Sequence, residues 1–237
     1  MKYSLSDFDD KLLNGFLFCE MAYALWEDIR QTADGIERLR LRKSDEDKKL
    51  VEELIPVAKY IQDHYSYGRQ LKVKWKNGSQ NYDAELYSSG FFVEHEEAPQ
   101  HCYIEVTTAV HKNDHILRNL IHEGEGRFTV KGVKKDSLKK KYISEVYLYD
   151  GYEHVIDLAD QILKRIIAKN EKNYPDNTVL IIRCCTDTLI CDYEWEAAIH
   201  KVKKEKVQCR FKEVFVFDSN HRYTSTIYCH QENNTSL

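Results

Sequence analysis

The chain has 237 residues, of which 42% are hydrophobic and 31% are charged, and its formal net charge at pH 7 is −4. That length suffices for one substantial domain with its own core, while the hydrophobic content excludes general disorder and the weak negative charge argues against indiscriminate coating of nucleic acid. The sequence contains no apolar run of the ~18 residues that a membrane span requires, and its first residues are acidic where a signal peptide would be apolar. We therefore expect a cytoplasmic protein that does not enter a membrane.

The chain divides into an N-terminal segment, a main domain and a short tail. Apolar residues at near-helical spacing over positions 5–30 predict one or two helices, broken near Asn14-Gly15. We assign residues 1–43 to an N-terminal helical segment packed on the core, and residues 44–230 to the main domain. The polar residues 231–237 predict a frayed tail.

The main domain begins with a predicted helix followed by three predicted strands. Ser44 can cap the helix, and Pro56 predicts a kink or a late start within it. Apolar residues alternate with lysines from Leu71 to Lys76, as in a half-buried strand that ends in a turn. The segments YDAELY and CYIEVTTAV are rich in β-branched and aromatic residues, which favours two further strands. Together the three strands predict an antiparallel meander.

Two acidic residues in this meander stand out. Asp83 lies in YDAELY and Glu105 in CYIEVTTAV, so adjacent strands can bring them together as a carboxylate pair. The opposite face of the second strand is apolar, so a strand lying wholly in solvent does not explain the acids. Two carboxylates and a neighbouring carbonyl, here that of Val106, are the oxygen ligands that Mg²⁺ takes, with water and substrate phosphate completing the octahedron. The pattern indicates phosphodiester chemistry.

Asp83 followed by Glu105-Val106-Thr107 on the next strand resembles the PD-(D/E)XK nuclease superfamily, over roughly residues 45–185. Members carry an Asp at one strand end and E-x-K on the following strand, and here Thr107 stands in place of the lysine. The resemblance implies an α/β restriction-endonuclease-like fold, in which a mixed sheet is flanked by helices. It also implies a metal-dependent nuclease that uses Mg²⁺ or Mn²⁺, acts on DNA or else RNA, and often forms a homodimer.

The resemblance leaves two roles to assign. In the superfamily, the helix before the first core strand can contribute an acidic metal ligand, for which Glu53 is our candidate and Glu52 the rival. Because Thr107 carries no charge, the catalytic cation must come from another element, and we choose Lys112, which precedes the next predicted helix. The alternatives for this cation are Lys72, Lys74 and Arg118.

The second half of the chain predicts alternating helices and strands. An amphipathic helix is expected from about Glu153 to Lys172. The run TVLIIRCC is almost continuously apolar, which favours a strand covered on both faces and parallel to a neighbour. A helix over Glu194–Val202 and a strand in FKEVFVFD follow. The lysine-rich stretch between Lys131 and Lys141 is either a phosphate-facing loop or an ordinary solvated one.

Three alternatives compete with an active nuclease. The carboxylates can be surface residues paired with nearby lysines, or the chain can be a catalytically inactive nuclease-like domain that binds nucleic acid or a protein partner. A zinc site would instead require His111, His115 and a carboxylate to converge. The discriminating feature for activity is whether a lysine ammonium or arginine guanidinium approaches Asp83 and Glu105.

Overall fold

The computed structural model describes residues 2–124, 129–136, 141–185, 191–205, 207, 209–220 and 222–228. The predicted frayed tail, 231–237, lies outside this part of the chain. The first half contains a 3₁₀ turn (Leu5–Asp7), β1 (Leu12–Asn14), α1 (Gly15–Arg30), α2 (Gly35–Leu41), α3 (Asp45–Lys49), a π-helical turn (Leu50–Leu54), α4 (Ile55–His64), β2 (Gln70–Trp75), β3 (Ala84–Ser89), α5 (Phe91–Glu94) and β4 (His101–Ala109). The second half contains α6 (Asp114–His122), a 3₁₀ turn (Val130–Gly132), β5 (Val133–Lys135), β6 (Tyr142–Ser144), α7 (Glu153–Asn170), β7 (Thr178–Cys184), α8 (Asp192–Lys204), β8 (Glu213–Asp218) and β9 (Thr224–Tyr228).

Seven strands of the described chain form one mixed sheet in the order β1-β2-β3-β4-β7-β8-β9. Strands β1 to β4 are antiparallel neighbours, β4, β7 and β8 run parallel, and β9 returns antiparallel at the far edge. Strands β5 and β6 make a separate small hairpin. The predicted α/β class, with a large mixed sheet flanked by helices, is confirmed.

The alternating side chains of the central strands build a core on each face of the sheet. On one face, α1 and α4 cover β2, β3 and β4, and Val179 and Ile181 of β7 join this core. On the other face, α7 and α8 pack on β7 and β8, where Leu180 and Ile182 point the opposite way. Strand β7 is therefore buried on both sides, which explains its almost unbroken apolar sequence.

The N-terminal segment differs from its predicted form. Leu12–Asn14 is not helical but forms β1, the edge strand that pairs antiparallel with β2. Only after it does Asn14 cap α1 by accepting a hydrogen bond from the Phe16 N–H. The break near Asn14-Gly15 is thus a change from strand to helix. Among the described residues, no helix is both long and apolar enough to cross a membrane.

Helices α3 and α4 are joined without interruption by the π-helical turn, so that the predicted helix is continuous. Ser44 caps it, because its hydroxyl accepts a hydrogen bond from the Asp47 N–H. In the π-helical turn, the Ile55 N–H reaches the carbonyl of Leu50, five residues back. Pro56, which follows directly, has no N–H to donate and favours such a rearrangement.

The end of the β3–β4 pairing creates the cleft that concerns function. The two strands pair from Tyr87↔His101 to Ala84↔Ile104. Strand β4 continues to Ala109 with β7 on its other edge, while the chain that precedes β3 departs from the sheet. Beyond Ile104, the edge of β4 that had faced β3 therefore borders a cleft instead of another strand.

Candidate active site

Asp83 and Glu105 meet where β3 and β4 separate. One more step in the register beyond Ala84↔Ile104 places Asp83 opposite Glu105, and the Asp83 N–H donates to the Ile104 carbonyl at 2.8 Å. The Asp83 side chain then takes the place of a strand neighbour, because its Oδ2 accepts a 2.7 Å hydrogen bond from the Val106 N–H. The predicted carboxylate pair is therefore present.

The Val106 carbonyl belongs to the same corner. In a strand, the N–H and C=O of one residue point toward the same neighbouring strand. Because the Val106 N–H is directed at Asp83, its carbonyl is directed to the same edge of β4. Val106 thus adds a backbone oxygen beside the two carboxylates, as the sequence predicted for a metal ligand.

Burial and mutual repulsion make it unfavourable for both carboxylates of the pair to be charged. Glu105 is only 8% exposed, and both acids are cut off from most of the solvent. Burial, followed by the negative charges of Glu105 and Glu53, raises the pKa of Asp83 from 3.8 to about 7. A cation placed between these carboxylates would have the opposite effect, since it favours their charged forms.

Lys169 and Tyr174 hold Glu105 from the α7 side. The Lys169 ammonium, in the last turn of α7, donates a hydrogen bond to Glu105 Oε1. The Tyr174 hydroxyl donates to the same oxygen at 3.2 Å, and burial together with the Glu105 charge raises the pKa of Tyr174. Both donors act on the same oxygen, Oε1.

Glu53 approaches the pair from the opposite side, on the π-helical turn. Its Oε2 accepts a 3.0 Å hydrogen bond from the indole N–H of Trp75, which is fully buried at the end of β2. Burial raises the pKa of Glu53, and the Trp75 hydrogen bond opposes that rise. Glu53 and its rival Glu52 both line the cleft, but Glu52 is engaged in a 2.9 Å ion pair with Arg42.

These groups surround one cleft of about 390 Å³. Acidic residues, backbone of β4 and basic residues all contribute to its walls. Its lining consists of Arg42, Glu52, Glu53, Asp83, Glu105, Val106, Thr107, Thr108, Val110, Arg118, Arg165 and Lys169. Negative and positive side chains thus share one cleft.

Comparisons of the chain with protein-family models, with curated proteins and with solved structures give no match. The residues themselves therefore carry the functional argument.

Four of the five predicted site residues line the cleft, and the fifth does not. Asp83, Glu105, Val106 and Glu53 line the cleft together, whereas Lys112 is exposed in the turn before α6 and is not part of that lining. Instead, Lys169 supplies the ammonium group beside Glu105.

The histidines considered for zinc lie elsewhere. His111 lines a second cleft of about 310 Å³, and His115 is exposed on α6. Within the described parts of the chain, no three His, Cys, Asp or Glu side chains converge tightly enough to hold a metal ion unaided. A cation at Asp83 and Glu105 would consequently rely on the Val106 carbonyl, water and substrate for its remaining ligands.

Sequence reasoning missed Lys169, although the helix contains a signal for it. Lys169 is three residues after Ile166 and seven after Ile162, both of which are buried on the inner face of α7. A lysine at that spacing falls on the apolar stripe of an amphipathic helix instead of its solvated side. A charged residue in such a stripe points to a buried partner, which here is Glu105.

Proposed function

We propose that this chain is a metal-dependent nuclease that hydrolyses phosphodiester bonds in DNA, with RNA as the second substrate class. The observation that carries the proposal is the contact between Lys169 and Glu105, directly beside Asp83. Two carboxylates with one adjacent lysine are the charge pattern of the PD-(D/E)XK site, with the lysine provided by α7 in place of Thr107. A lysine displaced to a neighbouring element is a known variation of that superfamily.

The order of elements supports a restriction-endonuclease-like architecture. A helix, α4, is followed by the antiparallel strands β2, β3 and β4, as at the beginning of that fold. Helix α7 then leads into β7, which runs parallel to β4. The proposed site lies on the third of these strands and at the start of the second.

Mg²⁺ or Mn²⁺ is the cofactor we propose, and the donor set fits a hard divalent cation. Carboxylate oxygens of Asp83 and Glu105 and the Val106 carbonyl are the ligand types such ions prefer. Glu53 is the accessory acid on the far wall. The raised pKa of Asp83 marks a cluster of negative charge that a cation would relieve.

The residues of the chain have separable roles in the proposed reaction. When bound, the cation would lower the pKa of a coordinated water and neutralise charge on the phosphate. Lys169 adds positive charge next to the scissile phosphate and can orient the attacking water through its remaining N–H groups. Tyr174 fixes the Glu105 carboxylate, and the Val106 N–H fixes that of Asp83. Both ligands are thereby held in place before the substrate arrives.

The competing function is a catalytically inactive nuclease-like domain that binds nucleic acid or a protein partner. Thr107 at the lysine position favours it, since Lys169 can also serve only to neutralise a buried glutamate. The two functions differ in one respect. Only the active enzyme needs Asp83 in its charged form.

The test is cleavage of end-labelled single-stranded DNA, double-stranded DNA and RNA by the purified chain, in Mg²⁺, in Mn²⁺ and in EDTA. We expect cleavage of at least one substrate that requires the metal and is lost in Asp83→Asn and Glu105→Gln. The matched control is Glu85→Gln, two residues from Asp83, because Glu85 is held by the Tyr82 and Tyr87 hydroxyls outside the cleft. Cleavage that persists in both cleft variants, or its absence from the wild type with every substrate, contradicts the proposal.

A further inference from the structure

Three arginines from separate elements come together at the C-terminal end of β4. Arg42 follows α2, Arg118 belongs to α6, and Arg183 lies in β7 opposite Thr108 of β4. Arg42 and Arg118 line the same cleft as the carboxylate pair. The residues Glu105 and Thr108 are three positions apart on β4, so the two regions are separated by ~10 Å along the strand.

Among the described residues, two of these three arginines form ion pairs with carboxylates. Arg42 forms a 2.9 Å ion pair with Glu52, and Arg118 forms a 2.6 Å ion pair with Asp114. Arg183 instead donates to the backbone carbonyl of Val51 at 3.3 Å. Burial, together with the positive charges of Arg42 and Arg118, lowers the pKa of Arg183 to about 10.

Two guanidinium groups also retain unused hydrogen-bonding capacity. The Nε atoms of Arg42 and Arg118 are buried and have no hydrogen-bond partner among the described residues. Buried polar groups normally find partners, so each unpaired N–H calls for an explanation. Thr107 and Thr108 of β4 also line this cleft.

The backbone at Arg42 gives an independent indication. Arg42 ends α2 in the left-handed region, with φ +53°. Glycine is the usual residue at such a helix end, because a side chain there is strained. An arginine at this position places its guanidinium in the cleft at the cost of that strain, as is common for residues at functional sites.

We propose that Arg42 and Arg118 form a phosphate-binding subsite, distinct from the carboxylate pair, that holds a second phosphate group of the bound nucleic acid strand. Arginine suits this role because its planar fork donates two parallel hydrogen bonds to phosphate oxygens. The strand as ligand rests on the proposed function, whereas affinity for phosphate itself does not. The phosphate is either a terminal monoester or an internal diester of the strand.

The experiment is calorimetric titration of inorganic phosphate into the full chain in EDTA, so that no metal contributes. We expect saturable binding by the wild type, weakened about tenfold or more in Arg42→Gln and in Arg118→Gln. Lys112→Gln, an exposed neighbour outside the cleft, is the control for general surface charge.

Two further measurements keep the test independent of folding defects. Arg42→Lys keeps the charge but loses the two-pronged guanidinium group. We expect this variant to fold, and its affinity for phosphate to be lower than that of the wild type. In ¹⁵N-labelled wild type, the Nε–H signals of Arg42 and Arg118 should shift as phosphate is added. Absence of saturable binding by the wild type, or unchanged binding in both glutamine variants, overturns the subsite.

Oligonucleotides then separate the two phosphate sources. An arginine-dependent gain in affinity restricted to strands with a 5′- or 3′-terminal phosphate assigns the subsite to a strand end. Equal dependence in strands without terminal phosphates assigns it to an internal diester. If inorganic phosphate binds through the arginines but no oligonucleotide does, the subsite stands and the nuclease proposal fails.

Discussion

Lys169 and Glu105 lie 64 positions apart in the chain, and the ammonium group of the first donates a hydrogen bond to the carboxylate of the second. Glu105 is on the central strand β4, and Lys169 is in the last turn of α7. Packing of that helix against the sheet therefore provides the positive charge that β4, with Thr107, does not.

If the chain is the proposed nuclease, replacing Lys169 with methionine should preserve the fold and remove most of the cleavage activity. Methionine keeps most of the side-chain length but has no charge to stabilise the transition state, so we expect the single-turnover cleavage rate to fall by ~10²–10³-fold. Lys164→Met, on the exposed side of the same helix, should cleave at the wild-type rate. A Lys169→Met protein that cleaves as fast as the wild type would assign Lys169 a structural role.

The pKa of Asp83 predicts an unusual dependence of stability on pH. In the metal-free folded protein this carboxyl holds its proton up to about pH 7, whereas in the unfolded chain it ionises near 3.8. Over that range the folded state binds more protons, so the free energy of unfolding decreases as pH rises from about 4 to about 7. The contribution is on the order of a few kcal/mol at most.

Urea unfolding at several pH values in EDTA measures this effect. Asp83→Asn cannot ionise, so its free energy of unfolding should change less between pH 4 and 7 and exceed that of the wild type at pH 8. Asp176→Asn, an exposed acid before β7, serves as the control. Identical pH profiles for the wild type and Asp83→Asn would show that Asp83 is ionised throughout.

The same titration should control metal affinity. In the proposed metal site a cation would bind the ionised form of Asp83, so Mg²⁺ and protons would compete for it. With a pKa of about 7, ionised Asp83 is about tenfold more abundant at pH 8 than at pH 6. We therefore expect Mg²⁺ to bind about tenfold more weakly at pH 6, as measured by calorimetry, with proton release at the lower pH. An affinity independent of pH over this range contradicts Asp83 as a ligand.

Glu53 should affect stability and metal binding separately. Glu53→Ala leaves the buried indole N–H of Trp75 without its acceptor, so we expect unfolding to become easier by ~1–3 kcal/mol. Glu53→Gln keeps an acceptor oxygen, and its stability should stay closer to that of the wild type. Both variants should weaken Mg²⁺ binding if Glu53 is a ligand. Calorimetry on the pair separates the roles, and unchanged affinity in both variants would exclude Glu53 from the coordination sphere.

Local patterns carried most of the fold prediction. Leu71, Val73 and Trp75 alternate with lysines and are all fully buried on β2, and the apolar run of β7 is buried on both faces. The pattern failed at Leu12–Asn14, because three residues are too few to distinguish a strand period from a helical one. Pairing with β2, a long-range interaction, decides their conformation.

The candidate site, like the fold, could be predicted from the sequence only in part. Asp83 and Glu105 could be predicted together because they lie on two consecutive predicted strands, which commonly pair as a hairpin. The partner of Glu105 could not, since the last turn of α7 is near β4 only in the folded molecule. Lys112 is close to β4 in sequence, yet sequence proximity did not place its side chain in the cleft.

The two sides of the cleft differ in how strongly their backbone is held by hydrogen bonds of the sheet. β4 is hydrogen-bonded to β3 at its beginning and to β7 along its length, so those amides of β4 that pair with β7 should exchange with solvent hydrogen only when the whole domain unfolds. Arg42 follows the short helix α2 and Arg118 lies in the short helix α6, and we expect these helices to open separately. Amide exchange in the cleft should therefore proceed on two timescales, and a bound ligand should slow the faster one.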